Sequence, residues 1–347
     1  MHDDPNQLLL AHSPDPDDAF MWWPLGTSGI RDAPPSTPRL QPSIETGEYS
    51  FTPVAHDIQA LNQRAMTLRD LHITAMSVFA LGHVLDTYAM TTCGASFGLN
   101  FGPKVLDTHD YAKKHRLLNA DDAAREKHLN MLVKNGGHGA VPGTETSAYL
   151  TLRLLLESTL PPGAADKADT RFPAMRFDRV IPALLDGDVD AALVIHEAQV
   201  TYQDQGLHLL VDLGQWWGRY TGGLPLPLGA NAIRKDVPSP AKVTALLHES
   251  IDYALANREQ SVDYAMHFAS ANAPDNPPSR EQVDTFIERY GNELTIDLTE
   301  PAVRAVSLML HHGRRLGMLP QQGELTIASA QGLRTVPIAD SNPVPSA

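Results

Sequence analysis

Short apolar runs alternate with longer amphipathic stretches along most of the chain. This pattern is typical of β-strands that feed α-helices across a parallel or mixed sheet. Three β-turn-α units are predicted. Their strands are residues 8–12, 71–75 and 138–141. The first helix begins at about Asp17, the second runs from the turn Met76-Ser77 through Leu81 and Leu85, and the third contains Ala148 to Leu155.

The clearest helix precedes a buried strand. Its apolar residues recur at the helical period, at Phe177, Val180, Ile181, Leu184 and Leu185. Gly187 marks its end, because glycine adopts the left-handed conformation that closes many helices. The apolar run 191–195 then predicts a strand, and His196-Glu197 follows it directly. A polar pair is therefore expected where this strand leaves the sheet.

Small hydroxyl residues occupy the turns that follow the predicted strands, at Ser13, at Ser77, and at Thr146 with Ser147. In open α/β sheets ligands bind outside the carboxyl ends of the strands, where helix N-termini present unpaired N–H groups. The alternative is plain helix capping, for which serine and threonine are the ordinary choice. Three such turns together favour a shared anion site, which suits a small molecule that carries a carboxylate.

His196 is the candidate for proton transfer. Histidine has an ordinary pKa near ~6.5, so small shifts tune it to act as a base near neutrality. The alternative is a half-buried histidine that is hydrogen-bonded to a neighbour. Glu197 is a doubtful partner, because adjacent residues of a strand point to opposite faces.

The composition of the chain excludes several classes of function. The chain has 347 residues and a formal net charge of −14, which disfavours nucleic acid. No apolar stretch approaches the ~20 residues of a membrane helix, and the first residues lack the pattern of a signal peptide, so we expect a cytoplasmic protein without membrane insertion. The single cysteine, Cys93, permits no internal disulfide.

Several common cofactor sites do not match the sequence. His196-Glu197 lacks the second histidine of a zincin motif, and no glycine is followed by lysine and a hydroxyl residue as in a phosphate loop. His311 and His312 are neighbours and cannot chelate one metal from one helix face. We therefore expect neither a metal nor an organic cofactor. The oligomeric state cannot be inferred.

A set of motifs in order along the chain resembles the 1,4-dihydroxy-6-naphthoate synthase family of the futalosine route to menaquinone. The motifs extend from residue 8 to about residue 235. They are Ala11-His12-Ser13-Pro14-Asp15-Pro16-Asp17-Asp18, Thr74-Ala75-Met76-Ser77, Pro142-Gly143 with Thr146-Ser147-Ala148-Tyr149, Val194-Ile195-His196-Glu197, Asp212-Leu213-Gly214-Gln215-Trp216-Trp217, and Leu224-Pro225-Leu226-Pro227-Leu228-Gly229.

The resemblance implies an α/β, type II periplasmic-binding-protein-like fold of two lobes, with the substrate in a cleft between them. One lobe would combine residues 1–103 with residues 224–335. The other would span residues 104–223 and carry a charged, solvated helical insertion at about residues 107–136. Residues 336–347 would form a flexible tail.

The resemblance also implies a cofactor-free lyase that cleaves cyclic dehypoxanthine futalosine and releases 1,4-dihydroxy-6-naphthoate. His196 matches the histidine that is taken as the general base of the family. The implied substrate contacts combine the hydroxyl turns with neighbouring positions: Ser13, Asp17, Ala75, Met76, Ser77, Thr146, Ser147, Ala148 and Ile195.

Two other functions remain open at this stage. The chorismate dehydratase of the same pathway would share the two lobes, but it is not expected to carry the His196-Glu197 pair. A solute-binding protein for small carboxylates would also use two such lobes, but it would need export.

Overall fold

The computed structural model describes residues 4–160, 168–195, 199, 202–272, 274 and 277–339. The chain divides into two compact units. The first combines the residues up to Phe97 with those from Pro227 onward, and the second spans Gly98–Leu226. These boundaries lie a few residues from those expected at 103/104 and 223/224.

The strands of the described residues are, in chain order, β1 (Gln7–His12), β2 (Ser50–Ala55), β3 (Ile73–Ser77), β4 (Tyr88–Thr91), β5 (Ser96–Gly98), β6 (Lys104–Thr108), β7 (Gly139–Ala140), β8 (Ala191–Val194), β9 (Leu207–Asp212), β10 (Leu226–Arg234), β11 (Leu325–Ser329) and β12 (Gly332–Val336). The helices are α1 (Pro16–Trp22), α2 (Ile58–Thr67), α3 (Val78–Leu81), α4 (His109–Lys114), α5 (Asp122–Lys134), α6 (Ser147–Thr159), α7 (Ala168–Arg171), α8 (Phe177–Leu185), α9 (Leu213–Thr221), α10 (Pro240–Ala256), α11 (Arg258–Asn272), α12 (Arg280–Tyr290), α13 (Glu293–Ile296) and α14 (Glu300–Arg315).

The first unit is built on an eight-stranded mixed sheet. Its strand order is β12-β11-β4-β10-β3-β1-β2, with β5 paired to β10. Strand β1 is parallel to β2 and to β3, whereas β10 is antiparallel to β3 and β4. The carboxyl ends of β1, β2 and β3 therefore lie at one edge of the sheet.

Strand β1 shows that both faces of this sheet are covered. Leu8 and Leu10 belong to the large apolar core that includes residues of α1, α10, α11 and α12. The alternating residues Leu9 and Ala11 belong to a smaller core that includes residues of α2. Successive strand residues point to opposite faces, so an almost continuous apolar run is what a doubly covered strand requires.

The second unit contains a four-stranded sheet in the order β7-β8-β6-β9. Strands β7 and β8 are parallel, and β6 is antiparallel to both β8 and β9. The carboxyl ends of β7, β8 and β9 and the beginning of β6 therefore share one edge. Helix α8 packs on β8 through its predicted apolar residues Val180 and Leu184, which are buried, whereas Leu185, predicted on the same face, is 50% exposed.

The charged segment expected as a solvated insertion at residues 107–136 is partly built into the second unit. Asp107 lies in the central strand β6 and is fully buried, with Oδ1 2.8 Å from Nδ1 of His208. Burial raises the pKa of Asp107 to about 7. Helix α5 buries Leu129, Leu132 and Val133. The segment thus contains two helices with exposed faces, as expected, but its first two residues belong to a strand, which the charge composition alone does not indicate.

Most predicted elements are confirmed, but the unit after Leu71 differs from its prediction. The strand expected at 71–75 is β3, which runs from Ile73 to Ser77, so the expected turn Met76-Ser77 is the end of the strand. The helix expected to continue through Leu85 ends at Leu81. The amides of His83 and Val84 donate to carbonyls three residues back, at Ala80 and Leu81, so the chain leaves the α-helix through tighter turns.

None of the helices in the described ranges combines the length with the apolar composition that a bilayer crossing requires.

The start of α9 lies against the backbone of the segment before β6. The amide of Leu213 donates to the carbonyl of Pro103 at 2.9 Å. A Cβ on Gly214 would lie 2.0 Å from the carbonyl carbon and oxygen of Phe101, whereas a Cβ on Gly218, one turn later, would have its nearest neighbour at 3.6 Å. The backbone of Phe101 therefore leaves no room for a side chain at position 214, whereas position 218 has room for one.

We predict that Gly214→Ala lowers the free energy of unfolding of the second unit by at least about 1 to 3 kcal/mol, the usual effect of overpacking. Gly218→Ala is the matched control on the same helix. It should be neutral or stabilising by about 0.5 to 1 kcal/mol, because alanine favours a helix interior. Thermal unfolding of both variants checks this, and equal melting temperatures would contradict it.

Candidate functional site

The predicted residues of the first unit lie at the edge where β1 and β3 end and α1 and α3 begin. Ser13 follows β1, and Ser77 is the last residue of β3. Both are buried, with exposed fractions of 2% and 4%. Parallel pairing of β1 with β3 brings these two strand ends to one edge. Ser13 and Ser77 therefore lie at the same edge of this sheet, and the anion site expected from the three hydroxyl turns stays a prediction.

The turn after β1 is held by its own polar groups. The amide of Ser13 donates to Oδ2 of Asp18 at 2.9 Å, and the amide of Asp15 donates to Oγ of Ser13 at 3.2 Å. Asp15 stands at the N-cap of α1 without a side-chain capping bond. Ser13 therefore orders the turn and does not cap the helix.

Asp17 lies in the first turn of α1, next to two other carboxylates. Burial and the charges of Asp18 and Asp15 raise the pKa of Asp17 well above its ordinary value. A carboxyl that retains its proton can donate a hydrogen bond to a ligand, which an ionised carboxylate cannot do.

His12, the last residue of β1, was not among the predicted site residues. Its Nδ1 lies 2.7 Å from the carbonyl oxygen of Ser13, and its ring packs edge-on against Phe268 of α11 with centroids 5.5 Å apart. Burial lowers the pKa of His12 to about 4. The imidazole is thus neutral near pH 7. The only sequence signal for it was its position between an apolar strand and Ser13.

Ser77 is fixed by two hydrogen bonds that the structure shows. Its Oγ accepts from the amide of Ala80 at 3.0 Å and caps α3, and its own amide donates to Oδ1 of Asn62 at 2.9 Å. Ala75 and Met76 precede it in β3 and are buried between β1 and β10. The capping interpretation left open by the sequence is confirmed for Ser77, and a substrate contact stays a prediction. Asn62 was missed, because its contact spans 15 residues.

In the second unit, Thr146 caps α6. Its Oγ1 accepts from the amide of Tyr149 at 3.1 Å and donates to the carbonyl of Gly143 at 3.0 Å. Ser147 and Ala148 form the first turn of α6 and are buried. The start of a helix of this length carries N–H groups without helical partners and a positive dipole end, which together favour an anion.

The same edge carries an ion pair that the sequence reasoning missed. Lys104 begins β6 and lies opposite both Val194 and Asp212 in the sheet. Its Nζ is 2.5 Å from Oδ2 of Asp212, and the two side chains are 12% and 3% exposed. Oδ1 of Asp212 accepts from the amides of Gly214 and Gln215 and caps α9. The sequence motif Asp212-Leu213-Gly214-Gln215 indicates the helix cap. It gives no sign of the ion pair, because Lys104 lies 108 residues away from Asp212 in the sequence.

Ile195 follows β8 at this edge and is half-buried. His196, the predicted general base, lies outside the described residues together with Glu197. In the part of the chain that is described, no group of three or more His, Cys, Asp or Glu side chains is arranged to hold a metal ion.

Comparison with known proteins identifies the family. A family model described as "Menaquinone biosynthesis" matches residues 8–315, which is most of the chain. The chain belongs to this family. It is 32% identical over 323 residues to a 1,4-dihydroxy-6-naphthoate synthase of Streptomyces coelicolor, covering 92% of this chain and 98% of that protein. A second such synthase, from Thermus thermophilus, is 30% identical over 314 residues, covering 90% and 95%.

Solved structures confirm the fold of this menaquinone-biosynthesis family member. Protein AF1704 from Archaeoglobus fulgidus superposes with a TM-score of 0.69 at 30% identity, covering 92% of this chain and 100% of that one. The periplasmic aliphatic sulphonate binding protein SsuA from Escherichia coli gives a TM-score of 0.55 at 10% identity, covering 99% and 98%. The second likeness shows the fold alone, and it confirms the periplasmic-binding-protein-like architecture.

The buried His12 predicts a pH dependence of stability. The unfolded chain takes up a proton on this histidine as pH falls through about 6.5, whereas the folded chain does so only near pH 4. The free energy of unfolding should therefore decrease by up to about 3 kcal/mol between these pH values because of His12. The raised pKa of Asp17 acts in the opposite direction, since it favours the fold at low pH.

We expect His12→Phe to flatten this acid limb, because phenylalanine takes up no proton. Urea unfolding of wild type and variant at several pH values between 4 and 7 measures the difference. If the free energies of unfolding of wild type and variant change with pH in the same way between pH 4 and 7, the assignment of a low pKa to His12 is contradicted.

Proposed function

We propose that this chain is a lyase that converts cyclic dehypoxanthine futalosine into 1,4-dihydroxy-6-naphthoate, with His196 as the general base. The observation that carries the proposal is the alignment with two 1,4-dihydroxy-6-naphthoate synthases, which covers at least nine-tenths of the chain and at least 95% of each relative. An alignment of that extent includes both units of the chain.

The geometry of the two sheet edges supports a carboxylate-bearing substrate. In the second unit, the N-terminus of α6 supplies backbone N–H groups, and the hydroxyl proton of Thr146 is committed to the carbonyl of Gly143. In the first unit, Ser77 and the turn after β1 supply polar groups that are buried and oriented. Buried, oriented donors lose little freedom when a ligand binds, so they favour affinity and orientation.

The proposed chemistry requires a base near neutrality. Removal of a proton from a substrate C–H or O–H would begin a carbon-carbon fragmentation, and aromatisation of the second ring would drive it forward. His196 directly follows Ile195 at the edge that carries the start of α6. That position in the sequence, together with the family motif, supports its role as the base.

One assay tests the function. Purified protein is incubated with cyclic dehypoxanthine futalosine, and the release of 1,4-dihydroxy-6-naphthoate is followed by chromatography. We expect turnover without added metal or cofactor. Binding of the compound without any release of naphthoate would instead indicate a solute-binding protein of the same fold.

We predict that His196→Ala lowers kcat by about 10² to 10⁴-fold while substrate still binds, because a positioned general base contributes that much to rate. His196→Asn should be equally slow, since asparagine cannot accept the proton. His138→Ala replaces an exposed histidine before β7 and serves as the control. Steady-state kinetics of the three variants checks this. If both His196 variants keep a near wild-type kcat, His196 is not the general base, and Asp17 is the next candidate.

We predict that Ser77→Ala weakens substrate binding by about 1 to 3 kcal/mol, the usual consequence of leaving a buried or charged partner unpaired. The control is Ser28→Ala, which replaces an exposed serine of the same unit. The Michaelis constant and calorimetric binding measure the change. An unchanged Michaelis constant would reduce Ser77 to a helix cap.

A further inference from the structure

The carboxyl end of β1 carries a polar side chain that the proposed mechanism does not use. His12 is the last residue of β1 and stands directly before Ser13, and only 2% of its surface is exposed. A histidine buried to this extent is expected to have both ring nitrogens in hydrogen bonds. The two nitrogens of His12 differ in this respect.

The first nitrogen fixes the tautomer. Nδ1 lies 2.7 Å from the backbone carbonyl oxygen of Ser13. A carbonyl oxygen can only accept, so Nδ1 must carry a hydrogen. The low pKa of His12, about 4, leaves the ring with one proton near pH 7. Nε2 therefore presents a lone pair and is a hydrogen-bond acceptor.

The second nitrogen lacks a donor within the protein as described. Among residues 4–160, 168–195, 199, 202–272, 274 and 277–339, no hydrogen bond to Nε2 of His12 is formed. Nε2 is also not one of the fully enclosed polar atoms without a partner in these ranges, so part of its surface stays accessible. Its ring is held in place by the edge-on contact with Phe268. An oriented acceptor that is accessible at a strand end can receive a hydrogen from a ligand.

We propose that Nε2 of His12 accepts a hydrogen bond from a hydroxyl group of the bound substrate, and that His12 is a specificity-determining residue of the first unit. The inference rests on the proposed function. The carboxyl end of β1 is where a ligand of this sheet is expected, and Ser13 and Asp17 flank the same turn.

Two substitutions at this position separate a ligand contact from a packing role. His12→Phe keeps an aromatic ring of similar size beside Phe268 but removes the acceptor. His12→Gln keeps a polar atom near the place of Nε2 and loses the ring. If His12 contacts substrate, phenylalanine is the worse replacement for binding. If His12 only fills the core, glutamine is the worse replacement for stability and phenylalanine leaves binding unchanged.

The experiment measures steady-state kinetics of the full chain on cyclic dehypoxanthine futalosine for wild type and both variants. We expect His12→Phe to raise KM by roughly tenfold with kcat within about twofold, since a contact kept from ground state to transition state acts on KM. His12→Gln should restore part of the loss. A melting temperature of His12→Phe at or above that of wild type verifies its fold.

The outcomes distinguish this inference from the proposed function. Wild-type turnover together with an unchanged KM in His12→Phe would overturn the role of His12 and leave the lyase proposal intact. If wild type binds the compound without turnover, the lyase proposal fails, and calorimetric dissociation constants of wild type and His12→Phe then decide on His12. If the wild-type protein neither binds nor converts the compound, both the lyase proposal and the proposed role of His12 are contradicted.

Discussion

The backbone N–H groups at the start of each helix have no partner inside the helix, and this constraint determines what stands at both sheet edges. At α3 and α6 the amides are met by the hydroxyls of Ser77 and Thr146, and at α9 by the carboxylate of Asp212. Helices α3 and α9 start directly after strands β3 and β9, so their capping residues are also residues that a ligand at the carboxyl ends of these strands would meet. Capping and ligand binding are therefore compatible roles for one side chain.

Buried ionisable groups are accommodated in two ways. The nearly buried carboxylate of Asp212 is balanced by Lys104 and by two amides, so the charge of the cap is neutralised locally. Other groups are shifted toward their neutral forms: burial lowers the pKa of His12 to about 4 and raises the pKa of Asp107 to about 7, and burial together with neighbouring carboxylates raises the pKa of Asp17. A neutral imidazole acceptor suits the recognition of a hydroxyl group, whereas a helix N-terminus suits a carboxylate.

Local patterns in the sequence predicted most of the elements and the polar residues of the turns. The period of the apolar residues gave α8 with both ends, and the turns after strands gave Ser13, Ser77 and Thr146. What the sequence could not predict depends on distant contacts. The amide of Ser77 donates to Asn62, and Lys104 pairs with Asp212, which lies 108 residues further along the chain. A hydrophobic period carries no information about such a contact, since it describes only one face of one element.

The hydroxyls of Ser77 and Thr146 also differ in a way that residue type cannot reveal. Both accept an amide hydrogen as caps, but Thr146 also donates its own proton to the carbonyl of Gly143. With that proton committed inside the turn, Thr146 orders the start of α6, and its hydroxyl has no second proton to donate to a ligand. Any residue that caps α6 equally well could serve in its place, and serine, which keeps both the acceptor and the donor, is the replacement that the geometry favours.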